Sequence, residues 1–144
     1  FLISSTVVSV VAQRLLRRIC EQCKSPYVPT AKEAQSVGLG LDELRQYEYK
    51  RGRGCNHCAY TGYRSRVGAY ELLVLNDPVK EAILAKKPAH IIRQLSVETT
   101  GLISMREDGC AKVVRGLTTF DEVLRHTPRT FNVRSLRQIL TLSE

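Results

Sequence analysis

Two stretches decide the fold: QRLLRRICEQC at residues 13–23 and GCNHCAYTGYRSRVGAYELLVL at residues 54–75. Each contains one C-x-x-C pair, Cys20 with Cys23 and Cys55 with Cys58, and 31 residues separate the two pairs. Thiolates at this spacing can reach one ion with zinc–sulfur bonds of about 2.3 Å, and two such pairs complete a tetrahedral site. The spacing therefore predicts a zinc centre, which is structural because four thiolates leave no position for a reacting water.

Other interpretations of the cysteines are weaker. A disulfide framework fits poorly with an odd number of cysteines in a chain expected to be intracellular. A thioredoxin-like redox pair needs one C-x-x-C and leaves the second pair without a role. His57 could replace a thiolate, although four thiolates already fill the coordination sphere. Cys110 falls on a helical apolar stripe and is expected to be a small buried hydrophobic residue.

Basic residues crowd around the cysteines. They are Arg14, Arg17, Arg18, Lys24, Lys50, Arg51, Arg53, Arg64 and Arg66. Four thiolates around one dication leave excess negative charge, which nearby cations or amide donors stabilise. Arg18, Lys24, Arg53 and Arg64 are placed for this role, and the alternative is that each is a solvated surface residue without a partner.

The segment between the two pairs differs from the rest of the chain. Residues 21–54 lack a regular apolar period and are rich in glycine and proline. We therefore expect residues 20–58 to form an insertion that something other than a hydrophobic core organises. Residues 42–47, DELRQY, could form one or two helical turns within it.

Strand signals flank this insertion. Residues 66–75 are rich in apolar and β-favouring side chains and end before Asn-Asp-Pro, which predicts a strand. Glu71 within it could be a functional carboxylate, but an ion pair with an arginine is the stronger expectation. Near the start of the chain, Ser4 and Ser5 offer helix caps to residues 6–12, whose valines suit either a helix or a strand.

Helical signals begin at Asp77. This residue is a predicted cap, and Pro78 suits the first helical position. A second helix is predicted at residues 89–98, with Gly101 beyond its end.

Two capping boxes predict the third and fourth helices. Ser104 with Glu107, and Thr119 with Glu122, have the spacing at which two side chains satisfy each other's backbone amides. Residues 128–144 follow with a weak amphipathic pattern, which predicts a terminal helix. The pattern consists of Leu136, Ile139 and Leu140.

The composition and motifs of the chain exclude several classes of protein. The chain has 144 residues, of which 43% are hydrophobic, and a formal net charge of +8. This size suits one domain or two very small ones, and the apolar runs are too short for a spanning helix. A phosphate-binding G-x-x-x-x-G-K-[ST] loop, G-x-G-x-x-G, H-E-x-x-H and G-x-S-x-G are all missing from the sequence. We therefore expect no complete catalytic apparatus in this chain, and its start at Phe1 suggests a piece of a longer polypeptide.

Three blocks of sequence carry a family resemblance. They are VVAQRLLRRICEQCK at 10–24, GCNHCAYTGYRSRVGAYELLVLND at 54–77 and MREDGCAKVVRGLTTFDEVLR at 105–125. In order and spacing, residues 1–127 resemble the C-terminal part of the secretion ATPases that drive type II secretion and type IV pilus assembly. Retraction ATPases of pili resemble the same core but typically lack the four-cysteine insertion, which favours a secretion or assembly motor.

The resemblance implies an α+β fold. A β-hairpin from the end of a RecA-like core, in which residues 13–19 pair with 66–75, is interrupted by the zinc subdomain and followed by a C-terminal helical bundle. The implied divisions are 1–19 (end of the ATPase core, helix then strand), 20–58 (zinc-binding insertion), 59–76 (returning strand), 77–127 (helical region) and 128–144 (a tail without assigned structure).

The resemblance also implies cofactors and partners. It makes Cys20, Cys23, Cys55 and Cys58 the ligands of a structural zinc ion. ATP and magnesium would bind only in the core upstream of Phe1, so this chain would carry no catalytic residue. The parent protein would be a cytoplasmic homo-hexamer, peripheral at the inner membrane, that contacts the platform proteins of its machine.

A second hypothesis is a free-standing zinc-ribbon protein that binds nucleic acid. The basic charge favours it, as do tyrosines near basic residues that could stack on bases. Those tyrosines are Tyr47, Tyr49, Tyr60, Tyr63 and Tyr70. Under the motor hypothesis we expect no specific nucleic-acid partner.

Overall fold

The computed structural model describes residues 1–129 and 133–143. In chain order the elements are α1 (Leu2–Thr6), β1 (Ser9–Ile19), β2 (Lys24–Tyr27), α2 (Ala31–Val37), α3 (Leu41–Leu44), β3 (Tyr49–Gly52), a 3-10 turn (Asn56–Cys58), β4 (Tyr63–Val74), α4 (Asp77–Leu84), α5 (Ala89–Thr100), α6 (Met105–Val114), α7 (Phe120–His126) and α8 (Leu136–Leu142). The fold is mixed α/β, and its two small sheets are antiparallel. Within the described ranges, each helix is too short or too polar to cross a membrane.

A long antiparallel ribbon of β1 and β4 is the frame of the molecule. Its register runs from Ser9 opposite Val74 to Ile19 opposite Tyr63, with an irregularity after Arg17. This confirms the predicted pairing of residues 13–19 with 66–75. Everything between Cys20 and Gly62 is therefore inserted between two paired strands.

The start of the chain corrects one expectation. Residues 6–12 were expected to be either a helix or a strand capped by Ser4 and Ser5, and most of this segment is strand because β1 begins at Ser9. The two serines instead lie inside the short helix α1, whose N-cap position is Phe1. Their hydroxyls donate to carbonyls of the preceding turn, which is the usual behaviour of serine within a helix.

The insertion has more regular structure than the sequence suggested. Strands β2 and β3 form a hairpin, with Lys24 opposite Gly52 and Tyr27 opposite Tyr49. Helix α2 follows β2 and begins with a capping box, in which Thr30 and Glu33 satisfy each other's backbone amides. Helix α3 covers part of the segment expected to form helical turns.

A shared hydrophobic core corrects the idea that the metal site alone organises the insertion. The cluster draws on β1, β4, the insertion and helices α6, α7 and α8. Its buried members are Leu16, Ala34, Val37, Leu39, Leu44, Tyr49, Ala69, Met105, Cys110, Ala111, Val113, Phe120, Val123, Leu136 and Ile139. Sequence reasoning missed the insertion's contribution because its apolar residues lie in helices too short to show a clear period.

The caps of the C-terminal helices follow the sequence with two corrections. Asn76, not Asp77, caps α4, because its side chain accepts from the amide of Val79. The capping box of Ser104 and Glu107 at α6 is confirmed. At α7, Thr119 accepts from the amide of Glu122 without a reciprocal bond, because the Glu122 carboxylate is bonded to another element.

Helix α8 confirms the predicted terminal helix. Leu136 and Ile139 on its inner face are fully buried, and Leu140 packs at the edge of the same core. Residues 130–132 and 144 of the predicted tail lie outside the described residues. Helix α8 is thus part of the core rather than an appendage.

Candidate metal centre

Four sulfur atoms meet at the end of the β1–β4 ribbon. The Sγ atoms of Cys20, Cys23, Cys55 and Cys58 all lie within 4.8 Å of one another. Cys20 lies 3.9 Å from Cys55, and Cys58 lies 3.8 Å from both Cys23 and Cys55. These separations exclude disulfide bonds, and all five cysteines of the chain are free thiols. The cluster could hold one metal ion.

The strands explain why the four residues meet. Cys20 directly follows β1, and Cys23 directly precedes β2. Cys55 follows β3, and Cys58 ends the 3-10 turn that leads into β4. The ribbon and the hairpin thus bring together, at one point, two pairs that are distant in sequence. Cys20 and Cys58 are buried, whereas Cys23 and Cys55 are partly exposed.

Backbone amides surround the sulfurs. The amide of Gly54 donates to Cys23 Sγ at 3.3 Å. The amides of Cys55 and Gly62 donate to Cys58 Sγ at 3.2 and 3.3 Å. Such donors stabilise thiolate charge and fix the direction of each sulfur. Gly54 and Gly62, which flank the second C-x-x-C pair, were the sequence signal that could have revealed two of these donors.

The surroundings shift the pKa values of the Cys58 and Cys23 thiols in opposite directions. Burial alone would raise the pKa of Cys58, but bonds from the amides of Cys55 and Gly62 outweigh it and lower that pKa to about 6. For Cys23, burial dominates over the bond from Gly54, and the neighbouring thiols add to it, which raises the pKa to about 11. Of these two thiols, Cys58 is therefore the better prepared to bind a metal as thiolate.

Three of the four cations predicted near the sulfurs have other partners. Arg18 and Lys24 form ion pairs with Glu21 at 3.2 and 3.1 Å. Arg64 donates to the carbonyl of His57. In residues 1–129 and 133–143, the nitrogen donors that reach these sulfurs are the amides described above. Amides rather than guanidinium groups therefore compensate the thiolates directly.

Other candidate residues fall outside the cluster. His57 is solvent-exposed, and the four-sulfur group does not include it. Cys110 is fully buried in the core, as predicted. Its burial raises the pKa of the thiol to about 12, so it remains neutral. Glu71 forms the predicted ion pair, with Arg93 at 2.8 Å, and also accepts from the amide of Met105.

Three of the five tyrosines considered for base stacking, Tyr47, Tyr49 and Tyr63, pack within the fold, whereas Tyr60 and Tyr70 are 71% and 46% exposed. Tyr49 is only 3% exposed. Tyr63 lies under the guanidinium of Arg17, and its hydroxyl is 2.8 Å from that of Thr119. Tyr70 accepts a hydrogen bond from Gln13. These contacts weigh against a stacking platform for nucleic acid.

A buried carboxylate that bonds to β1 was missed by sequence reasoning. Glu122 is fully buried at the start of α7 and accepts three hydrogen bonds from Arg17, one from the backbone and two from the guanidinium. Burial would raise the pKa of this carboxyl, but the bonds from Arg17 outweigh it and lower the pKa. The pair fixes α7 against β1, three residues before Cys20.

Comparisons with known proteins identify the family. The profile of the family described as Type II/IV secretion system protein matches residues 1–125. The type IV pilus assembly ATPase PilB of Thermus thermophilus is 39% identical over 127 residues, which cover 88% of this chain and 14% of that protein.

Two further relatives are type II secretion system proteins E. Those of Dickeya dadantii and Pseudomonas aeruginosa are 41% and 42% identical, each over 88% of this chain and 24% of its own length. The chain thus spans about a quarter or less of these relatives. Both the matched range and the identities show that this chain belongs to the Type II/IV secretion system protein family.

Proposed function

We propose that Cys20, Cys23, Cys55 and Cys58 bind one structural zinc ion. The observation that carries this proposal is the spacing of the sulfurs, 3.8 to 3.9 Å for three of their pairs. A tetrahedron with zinc–sulfur bonds of about 2.3 Å has sulfur–sulfur edges of about 3.8 Å.

The surroundings support a structural role. Four protein ligands would fill a tetrahedral shell, so no position is left for a substrate or a reacting water. The amide donors suit a thiolate-rich ion because they stabilise its excess negative charge. The bound ion would tie the end of the β1–β4 ribbon to the β2–β3 hairpin and make the insertion rigid.

We further propose that this chain is the C-terminal region of an ATPase that powers type II secretion or type IV pilus assembly. The names of its relatives support this function. The nucleotide-binding core, with its ATP and magnesium, would lie in the part of the protein that these relatives have and this chain does not span. The whole protein would be a cytoplasmic homo-hexamer, peripheral at the inner membrane, with the insertion available to platform proteins or a neighbouring subunit.

An exposed apolar face on the β1–β4 ribbon supports the proposal that this chain is part of a larger protein. Its register places one set of apolar side chains on a common face, and their exposed fractions are 37–61%. They are Val11, Leu15, Tyr70, Leu72 and Val74. Apolar faces of this kind are normally covered. We propose that residues 1–19 and 59–76 continue a RecA-like core, with 20–58 as the metal insertion, 77–127 as the helical region and 128–144 as a closing tail.

Metal analysis and ATPase assays test the two proposals separately. The purified chain should contain one zinc per molecule and should not hydrolyse ATP, because it lacks a phosphate-binding loop. The full-length protein should hydrolyse ATP. Folded protein without metal and with all four thiols freely titratable would refute the zinc proposal, and an inactive full-length protein would refute the motor proposal.

A further inference from the structure

Gly62 contacts one ligand from each cysteine pair. Its amide donates to Cys58 Sγ at 3.3 Å. Its carbonyl accepts from the amide of Cys20 at 3.0 Å. A single residue therefore joins the end of β1 to the turn that precedes β4, with the four sulfurs between them.

The backbone of Gly52 lies directly against that of Gly62. A Cβ atom on Gly52 would collide with the carbonyl of Gly62, and a Cβ on Gly62 would lie 2.6 Å from the carbonyl oxygen of Gly52. Both contacts are closer than protein atoms tolerate, and the obstructing atoms are backbone. Gly62 also has φ of +78°, which favours glycine. Neither position can accept a side chain without moving the backbone of the other.

Gly52 connects this contact to the remaining ligands. It ends β3 and lies opposite Lys24, the residue after Cys23. Two residues further on, the amide of Gly54 donates to Cys23 Sγ, and Cys55 follows. The contact between Gly52 and Gly62 thus packs the end of β3, which precedes the second C-x-x-C pair, against the turn that follows that pair. Cys20 of the first pair is bonded to the same turn through Gly62.

We propose that the Gly52–Gly62 contact is the positioning element of the metal centre and holds the two C-x-x-C pairs at the separation that one ion requires. This inference rests on the proposed zinc function and adds the residues that preorganise it. A side chain at Gly52 would move the two C-x-x-C pairs apart, although all four cysteines would still be present. Loss of such supporting contacts around a metal typically lowers its affinity by about 10- to 100-fold.

Cobalt titration of Gly52→Ala tests the proposal. Co²⁺ reports tetrahedral thiolate coordination through its visible and sulfur-to-metal absorption bands, which a general loss of stability does not alter. The variant should bind Co²⁺ about 10- to 100-fold more weakly than the wild type, with shifted or weakened bands. Gly40→Ala is the matched control: it lies in the same insertion with open space around its Cα, so its affinity and spectrum should equal those of the wild type.

The outcomes separate this inference from the zinc proposal. A wild-type chain that does not bind Co²⁺ or zinc refutes the zinc proposal. Wild-type binding with an unchanged affinity and spectrum in Gly52→Ala refutes the role of the glycine contact alone. If Gly52→Ala does not fold, hydrogen exchange on the metal-stripped wild type is the deciding measurement. The Cys20 amide, which is bonded to Gly62, should remain protected from exchange. Rapid exchange of this amide would overturn the proposal.

Discussion

Arg17 and Glu122, 105 residues apart in sequence, are joined by three hydrogen bonds of 2.6 to 3.0 Å. The carboxylate is fully buried, whereas the guanidinium is partly exposed. Because the backbone amide of Arg17 also donates to Glu122, the contact holds the backbone of β1 as well as the Arg17 side chain. It links β1, the strand that Cys20 directly follows, to helix α7.

Replacing Glu122 with glutamine should destabilise the chain by about 2 kcal/mol, because hydrogen bonds to a charged group are lost while the site stays buried. Urea unfolding monitored by circular dichroism measures the change. Glu21→Gln is the control, since Glu21 is 57% exposed in its ion pairs and should contribute less than about 1 kcal/mol. Equal effects of the two variants would contradict the role assigned to Glu122.

The pair of Glu107 and Arg134 should make stability depend on pH. Burial would raise the pKa of Glu107, but bonds from Arg134 and the Ser104 amide outweigh it and lower the pKa. A carboxyl with a lowered folded pKa contributes stability that is fully present above its unfolded value of about 4.3. That contribution is lost as the pH falls through the folded pKa.

Comparison with Glu107→Gln isolates this effect. The difference in unfolding free energy between the wild type and the variant should be constant above about pH 5 and should shrink as the solution is acidified. Protonation of the thiolates affects both proteins and cancels in the difference. A difference that grows toward low pH would show that the sign is wrong.

Removing the metal should loosen the insertion first. In Cys23→Ser, hydrogen exchange should accelerate at residues 21–27 and 49–61, while the Cys20 amide stays protected by its bond to Gly62 and α6 by its own core contacts. Because Val37 and Leu44 share that core, we expect α2 and α3 to exchange later than the cysteine turns. Cys110→Ala, which leaves the four sulfurs intact, should retain its metal, and simultaneous exchange of all segments would contradict the expected order.

The C-terminal helix should contribute to folding although it lies beyond the range that the family profile matches. Leu136 is fully buried in the core, so Leu136→Ala should cost about 2–5 kcal/mol. Leu142 lies on the same helix and is 47% exposed, so Leu142→Ala should cost less than about 0.5 kcal/mol. Thermal unfolding of both variants measures the contrast, and a small effect of Leu136→Ala would contradict the packing of α8.

Predictions based on short-range spacing in the sequence were the reliable ones. The C-x-x-C spacing predicted which sulfurs meet, and Ser104 with Glu107 predicted the start of α6, because both depend on residues three positions apart. The same capping signal was wrong about Glu122, since its carboxylate bonds Arg17 across the fold. Sequence spacing contains no information about which distant group competes for a side chain.

Long-range contacts explain the other misses. The insertion was expected to lack a core because its helices are too short to show a period, yet Val37 and Leu44 are buried in a core cluster that also contains residues of α6, α7 and α8. The Gly52–Gly62 contact is equally invisible in sequence, because a glycine gives no indication of which backbone approaches it. The pairing of β1 with β4 was predicted from the family resemblance rather than from the strands themselves.

X-ray absorption at the zinc edge of the purified chain tests the central claim most directly. We expect a single first shell of four sulfur atoms at about 2.3 Å, with no nitrogen or oxygen neighbour. This result should persist in Cys110→Ala and disappear in Cys20→Ser. A first shell containing imidazole nitrogen or water oxygen in the wild type, or the absence of bound zinc, would contradict the four-cysteine site.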